Sequence, residues 1–453
     1  MLSILGCSLP LDANHTALYR SLRRNLMDER NRFGTWQIWI AATGALVSGA
    51  FLLWAFSRPG TLGLYRWGYK APFLALMGLA AFALIVTGAY RIIASKTGRR
   101  IVFLGCFGAI VAILSLGVGG GVATFILLKA YGGDLPAAAD KPILPDPRLG
   151  LAVPASRSLR VALSSDPHFD RDISNHEATA AILTRAQAEV QAGSLDAFFM
   201  LGDFVEMGFL ASGWNAALGE LKRLAPDVPF YALMGNHDAM VGGDRRWRAA
   251  FQPSGPEAKS INDQQSSQAA SDQPVFQSAA FAQPSPYMWR LDAGRVHFIA
   301  INLPWGPEDF SRRERTWLAA QLDSIPQDDF TVVLSHSFFH SSGYVDEDTG
   351  MPWYEHAENL VSVAPLLASR VDLVVSGHNH YMEWIEADGT AWAVVGAMGG
   401  KPDPEPSYRS TGSVFFSRGK FGRLVLQLVT AGLSCSFEDI SGQTLFSRII
   451  PWS

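Results

Sequence analysis

Five short apolar runs, each closing on serine or glycine and then on Asp, Asn or His, constrain this chain more than any other feature. They are LRVALSS before Asp166 and His168, DAFFMLG before Asp203, PFYALMG before Asn236, His237 and Asp238, DFTVVLS before His336, and VDLVVSG before His378 and His380. A run of aliphatic and aromatic residues with no polar alternation reads as a strand buried on both faces, and the carboxyl end of such a strand opens on the crevice of an α/β sheet. A pair of histidines at one strand end is more often structural than ligating. Oxygen and nitrogen donors at five successive strand ends instead point to one shared site.

Between these runs lie amphipathic segments at helical spacing: ATAAILTRAQAEVQA, WNAALGELKRLA, RRERTWLAAQLDSI and NLVSVAPLLAS. Ser311, with Glu314 three residues on, fits a capping box at the start of the third. YMWRLDAGRVHFIAINLP alternates on both sides of an Asp-Ala-Gly turn and reads as a β-hairpin, and FGRLVLQLVTAGLSCSFEDISGQTLFSRII reads as strands joined by glycine turns. The sum is an α/β domain of two sheets packed face to face with helices outside. Residues 253–286, rich in Gln, Ser and Ala, lack periodicity and read as a mobile insertion, disordered or a lid over the site.

Two Asp, one Asn and four His can fill two metal sites if one carboxylate bridges, which holds a fifth histidine back for chemistry. Mixed imidazole and oxygen donors without a nearby cysteine favour two divalent ions such as Mn, Fe or Zn. His378 and His380 would then face different ions. Glycines before Asp203, Asn236 and His378 are expected to let the backbone turn sharply.

The first third of the chain has another character. Thr35–Ser57, Ala71–Tyr90 and Ile101–Leu128 contain no charged residue, and each reaches the roughly 20 apolar residues that a helix needs to cross a bilayer. Trp36, Trp54, Trp67 and Tyr90 at their edges suit the interface. The expected organisation is a cytoplasmic segment over 1–34, an all-α anchor of three transmembrane helices over 35–130, a Pro/Ala/Gly-rich linker over 131–158 and the α/β domain over 159–453. None of the spans carries an ionisable residue to line a transport path, so they read as an anchor and not as a transporter. Lys and Arg crowd the segment before the first span and the loop after the second, which places the α/β domain on the extracytoplasmic side of a cell membrane. Of three cysteines only Cys435 falls in the domain, so no disulfide forms within it. A formal charge of -4 gives no sign of a nucleic-acid partner.

The ordered blocks D-x-H, G-D, G-N-H-D, H and G-H-x-H resemble the calcineurin-like metallophosphoesterase superfamily over about residues 160 to 450. The resemblance implies a four-layer α/β/β/α sandwich. It also implies one metal on Asp166, His168 and His380, another on Asn236, His336 and His378, and Asp203 bridging. The reaction it implies is hydrolysis of a phosphate ester by a metal-bridging hydroxide, with His237 stabilising or protonating the leaving oxygen and Asp238 orienting that imidazole or raising its basicity. Purple acid phosphatases of the superfamily carry Tyr three residues after the bridging Asp. Glu206 stands there here, so no tyrosinate-iron colour is expected.

Other candidates have plainer readings. Glu206 would support the donors, Arg171 would meet a phosphate or only solvent, and His340 lies close enough in sequence to approach substrate. His176, His297 and His356 read as structural or solvent-facing. The expected function is a membrane-anchored phosphoesterase acting on a phosphate ester, with lipid-linked or envelope-derived esters favoured by the anchor, and membrane lipids as its other contact. The alternative is an idle domain of the same fold serving as a membrane-bound scaffold.

Overall fold

Central strands buried at every position, their side chains alternating between two cores, build the architecture. The computed structural model describes residues 141–452 apart from 155–156, 252–282, 308–309, 346–349 and 351. In β1 (Arg160–Ser164), Val161 and Leu163 enter one core while Ala162 enters another. Strands β2 (Ala197–Met200) and β3 (Phe230–Ala232) alternate in the same way. So do β6 (Phe330–Ser335) and β7 (Leu373–Ser376), where Val332, Leu334, Leu373 and Val375 face the first core and Val333 and Val374 a third. A strand with a core on each face must be apolar at every position, which is why these runs carry no polar alternation.

The first core lies between two sheets. One has the order β13-β12-β11-β1-β2-β3 and the other β10-β8-β9-β7-β6-β5-β4, with β4 at Trp289–Ala293, β5 at Val296–Ala300, β8 at Met382–Ala387, β9 at Thr390–Val395, β10 at Ser413–Ser417, β11 at Gly422–Val429, β12 at Gly432–Asp439 and β13 at Thr444–Pro451. Helices α1 (His176–Gln191), α2 (Ala211–Leu224) and α3 (Asp244–Phe251) cover the first sheet through Ile182, Trp214, Leu221 and Trp247. Helix α4 (Arg312–Asp323), with α5 (Ala357–Ser362) and α6 (Ala364–Leu367), covers the second through Trp317, Leu318 and Leu367. The layers are therefore helix, sheet, sheet, helix. The capping box at Ser311 and Glu314 is formed.

Strands β1, β2 and β3 are parallel neighbours, as are β5, β6, β7 and β9. Their carboxyl ends meet at one rim, where Ser165 N donates to Val395 O at 3.1 Å and His336 Nδ1 donates to Leu201 O at 2.7 Å, each bond joining the two sheets. The donors collected there thus come from both sheets.

Several elements differ from the sequence reading. The segment NLVSVAPLLAS forms two short helices, broken at Val363 just before Pro365, and α3 and the β8–β9 hairpin had no counterpart in it. The described part of the expected linker is laid on the domain. Ile143 bridges Pro229, Leu151 N donates to Asp292 O at 2.9 Å, and Leu151 and Val153 pack on the inter-sheet core. The apolar residues among its prolines explain this, since they gain burial that a solvated spacer would forgo. The three charge-free runs and most of the 253–286 insertion lie outside the described residues; within the described residues no helix is long and apolar enough to cross a membrane.

Candidate metal centre

Four of the seven residues expected to hold metal take the left-handed backbone conformation: Asp166 (φ 61°), His168 (φ 43°), Asp203 (φ 52°) and His378 (φ 71°). That region costs a non-glycine residue about 1–2 kcal/mol. The turn is thus made at the donors themselves. Of the glycines expected to turn the chain, only Gly202 has a positive φ (105°). Gly235 and Gly377 are required for close approach, because a Cβ would lie 2.1 Å from Asp203 Oδ1 in the first case and 2.2 Å from Ser165 Oγ in the second.

The seven side chains are brought together. Ligand atoms of Asp166, His168 and His380 lie within 4.8 Å of one another, and so do those of Asp203, His336 and His378. Asp203 Oδ2 stands between the groups, 3.8 Å from His168 Nε2 and 3.4 Å from His336 Nε2. Asn236 Oδ1 is 2.9 Å from both His336 Nε2 and His378 Nδ1. Backbone carbonyls fix which nitrogens face inward: His336 Nδ1 donates to Leu201 O, and His380 Nδ1 donates to Lys401 O at 2.6 Å, leaving each Nε2 toward the centre. Buried Asp166 Oδ1 and His168 Nε2 have no hydrogen-bond partner. Acceptor atoms that converge in a buried place need protons or cations between them, so the residues present fit a pair of divalent ions.

Electrostatics follow from the same crowding. Burial disfavours charge on His336, but Asp203 outweighs it and lifts the imidazole to about 9; burial likewise opposes charge on His380, and the Asp166 carboxylate, 3.4 Å from its Nε2, lifts it to about 10. His378 moves the other way, to about 3, because burial and then His336 both disfavour its cation. It sits among aromatic rings, 5.5 Å from Phe338, 5.1 Å from Trp305 and 5.7 Å from Trp353 between centroids. Asp203 is held well below the usual carboxylate range, with His336 and His237 overcoming the effect of burial.

His237 stands beside the centre, its ring 5.0 Å from that of His168 and its side chain 27% exposed. Its Nδ1 donates to Glu206 O at 2.8 Å, which leaves Nε2 free. Asp238 departs from the sequence reading. It is fully buried and turned away from the imidazole: Oδ1 accepts from Phe204 N at 2.9 Å and Val205 N at 3.2 Å, and Oδ2 accepts from Gly235 N at 2.9 Å. Three backbone donors in a sealed space demand an acceptor, and the neighbouring carboxylate supplies it. Asp238 thereby staples the loop after β2 to the loop after β3.

Glu206 is more central than its position suggested. Its Oε2 lies 3.1 Å from His168 Nδ1, 3.1 Å from Arg171 Nη1 and 3.8 Å from His237 Nδ1. Asp403, which no sequence signal singled out in KPDPEP, accepts from His380 N at 2.7 Å. His340 is engaged elsewhere, 2.9 Å from Glu355 and 3.6 Å from Asp388. His297 lies between Asp292 and Asp329, His356 caps α5, and His176 opens α1 on the surface.

Residues 159–382 match the family described as Calcineurin-like phosphoesterase. Similar solved structures include a purple acid phosphatase from yellow lupin seeds, at 15% identity and a TM-score of 0.49, covering 64% of this chain and 53% of that one. GAP50, described as the anchor in the inner membrane complex of Plasmodium, is 19% identical with a TM-score of 0.46, covering 66% of this chain and 90% of that one. A putative 5′-nucleotidase from Staphylococcus aureus is 15% identical with a TM-score of 0.32, covering 65% and 54%. The match thus spans about half the length of the lupin and staphylococcal proteins. No curated protein matches the chain.

Proposed function

We propose that the calcineurin-like metallophosphoesterase domain carried by this chain hydrolyses a phosphate ester with the help of two divalent ions. One observation carries the reading: seven donors from five strand ends face one another around buried acceptor atoms that lack partners. Asp166, His168 and His380 would hold one ion, Asn236, His336 and His378 the other, and Asp203 would serve both. When bound, such ions supply an activated water and neutralise charge on the phosphoryl oxygens.

The chain's own residues do the rest. Leu201 O and Lys401 O hold His336 and His380 in the ligating tautomer. His237, its Nδ1 committed to Glu206 O, presents Nε2 for delivery of a proton to the leaving oxygen. Arg171, paired with Glu206 yet 34% exposed, is within reach of a phosphate at the rim. An idle scaffold would have no use for four donors in a strained backbone, which favours the enzyme over the binding alternative.

The finer proposals concern place and substrate. The charge-free runs from Thr35 to Leu128 support a three-span anchor, and the Lys/Arg asymmetry supports an extracytoplasmic domain over 159–453 acting on lipid-linked or envelope-derived esters. A reporter fused at the C-terminus tests the topology. The catalytic reading is tested by metal analysis and by turnover of p-nitrophenyl phosphate and its bis-ester with Mn, Fe and Zn. Purified chain that stays metal-free when offered all three would refute it.

A further inference from the structure

Trp305 follows β5 and Trp353 follows β6, so each rides on a loop at the rim where the donors collect. Their rings meet almost at right angles, 82° with centroids 5.5 Å apart. Both touch His378, Trp305 edge-on at 85° and Trp353 at 33°. Two indoles and an imidazole thus make a corner with one metal-ligand histidine at its foot.

Packing alone does not account for this corner. Phe338, 3% exposed, already stacks on His378 and supplies its apolar cover. The tryptophans are both partly exposed, and large apolar surface left toward water is unfavourable unless something covers it. The backbone of Trp353 is also held to the centre by polar bonds. Asn379, the residue between the two histidine donors, gives its Nδ2 to Trp353 O at 3.3 Å, and Trp353 N donates to Tyr344 O at 2.8 Å. Gly343 lies so close that a Cβ there would fall 2.0 Å from Trp353 O. A substitution at either place would move the indole relative to the donors.

We propose that Trp305 and Trp353 form a subsite for a flat aromatic group on the ester, so that the centre prefers aryl- or nucleobase-bearing phosphates to saturated ones of equal size. This rests on the phosphoesterase reading above. Perpendicular rings offer one face for offset stacking and one edge for edge-to-face contact, the two arrangements that aromatic pairs prefer. The subsite also lies on a different side from the proton donor. His237 sits against His168 of the first donor group, and the tryptophans sit against His378 of the second.

The test uses the full chain loaded with manganese and two substrates with similar alkoxide leaving groups, benzyl phosphate and cyclohexylmethyl phosphate. A second pair, adenosine 5′-phosphate and ribose 5-phosphate, asks whether a nucleobase serves as the ring. Trp305→Leu and Trp353→Leu should each raise KM for benzyl phosphate by roughly 2- to 10-fold, as loss of one aromatic pair implies. The KM for cyclohexylmethyl phosphate should rise less, so that whatever change the two esters share, the preference for the benzyl ester narrows, and Trp353→Phe should restore most of it. Equal KM changes for both esters, or none for either, would overturn the subsite. Calorimetric titration with benzylphosphonate and cyclohexylmethylphosphonate separates it from the catalytic reading. Selective binding of the benzyl compound without hydrolysis of any ester keeps the subsite and refutes the phosphoesterase, whereas hydrolysis without ring preference does the reverse. Absence of both binding and hydrolysis refutes both.

Discussion

Asp238→Asn asks whether this carboxylate acts on the imidazole beside it in sequence or on the backbone around it. Asn keeps the shape and one acceptor, so the bonds from Phe204 N and Val205 N survive if the amide oxygen takes the Oδ1 place. The amide NH2 then faces Gly235 N, turning an accepted bond into a contact between two donors. Burial and then the Asp203 charge push the Asp238 carboxyl well above the usual range, so charge adds little to these bonds and the cost is that of one unsatisfied buried donor, about 1–3 kcal/mol. Asp238→Ala strands all three donors and should cost about 3–9 kcal/mol, a large share of the 5–15 kcal/mol typical of a domain. Urea unfolding of metal-free residues 131–453, followed by tryptophan fluorescence, measures this in a segment that keeps the packed residues Leu151 and Val153. The midpoint for the Asn variant should fall by roughly 0.3–1 M at an m-value of about 3 kcal/mol/M. Folded, metal-loaded variant should keep the wild-type position of its pH–rate profile. Unchanged stability with a displaced acid or base limb would refute the staple and return Asp238 to service of His237.

Three further outcomes are expected. His237→Ala should retain about two metals per chain by elemental analysis yet lose roughly 10²- to 10⁴-fold in kcat on esters with poor leaving groups, with a smaller loss on p-nitrophenyl phosphate; equal losses on both would remove the proton-donor role. Gly377→Ala places a methyl group 2.2 Å from Ser165 Oγ and 2.8 Å from Asp166 Oδ2, so it should displace Asp166 and lower bound metal from about two to about one per chain. In the metal-free protein His336 and His380 hold protons up to about 9 and about 10, so cations compete with protons at neutral pH. Manganese affinity should therefore climb as pH rises from 6 toward 9, with about two protons released per chain loaded at pH 7. Calorimetry in buffers of different ionisation enthalpy counts them, and an affinity flat in pH would contradict the assignment.

The site was legible because its donors stand at fixed places in a simple code: an apolar strand, one small residue, then a polar donor. A buried strand between two cores has no other way to be written, so β1, β2, β3, β6 and β7 could be recognised without periodicity, and their ends followed. Other features hid for identifiable reasons. The β8–β9 hairpin around Asp388 and Gly389 mixes Trp384, Glu386 and Trp392 in a pattern that also fits a loop, and only its pairing with β7 and β10 makes it a strand pair. Helix α3 carries Asp244, Arg245, Arg246 and Arg248 in eight residues, a composition too polar to reveal that Trp247 and Phe251 reach the core. The side-chain direction of Asp238 was out of reach, since adjacency in sequence says nothing about which backbone donors a turn leaves unpaired. The same holds for Asp403, which accepts from His380 N across 23 residues and adds its charge to the lift on that imidazole. What the code fixes is where donors stand. What it leaves open is which atoms of the surrounding loops must be satisfied to keep them there, and in this protein that task falls to Asp238, Glu206, Asn379 and Asp403.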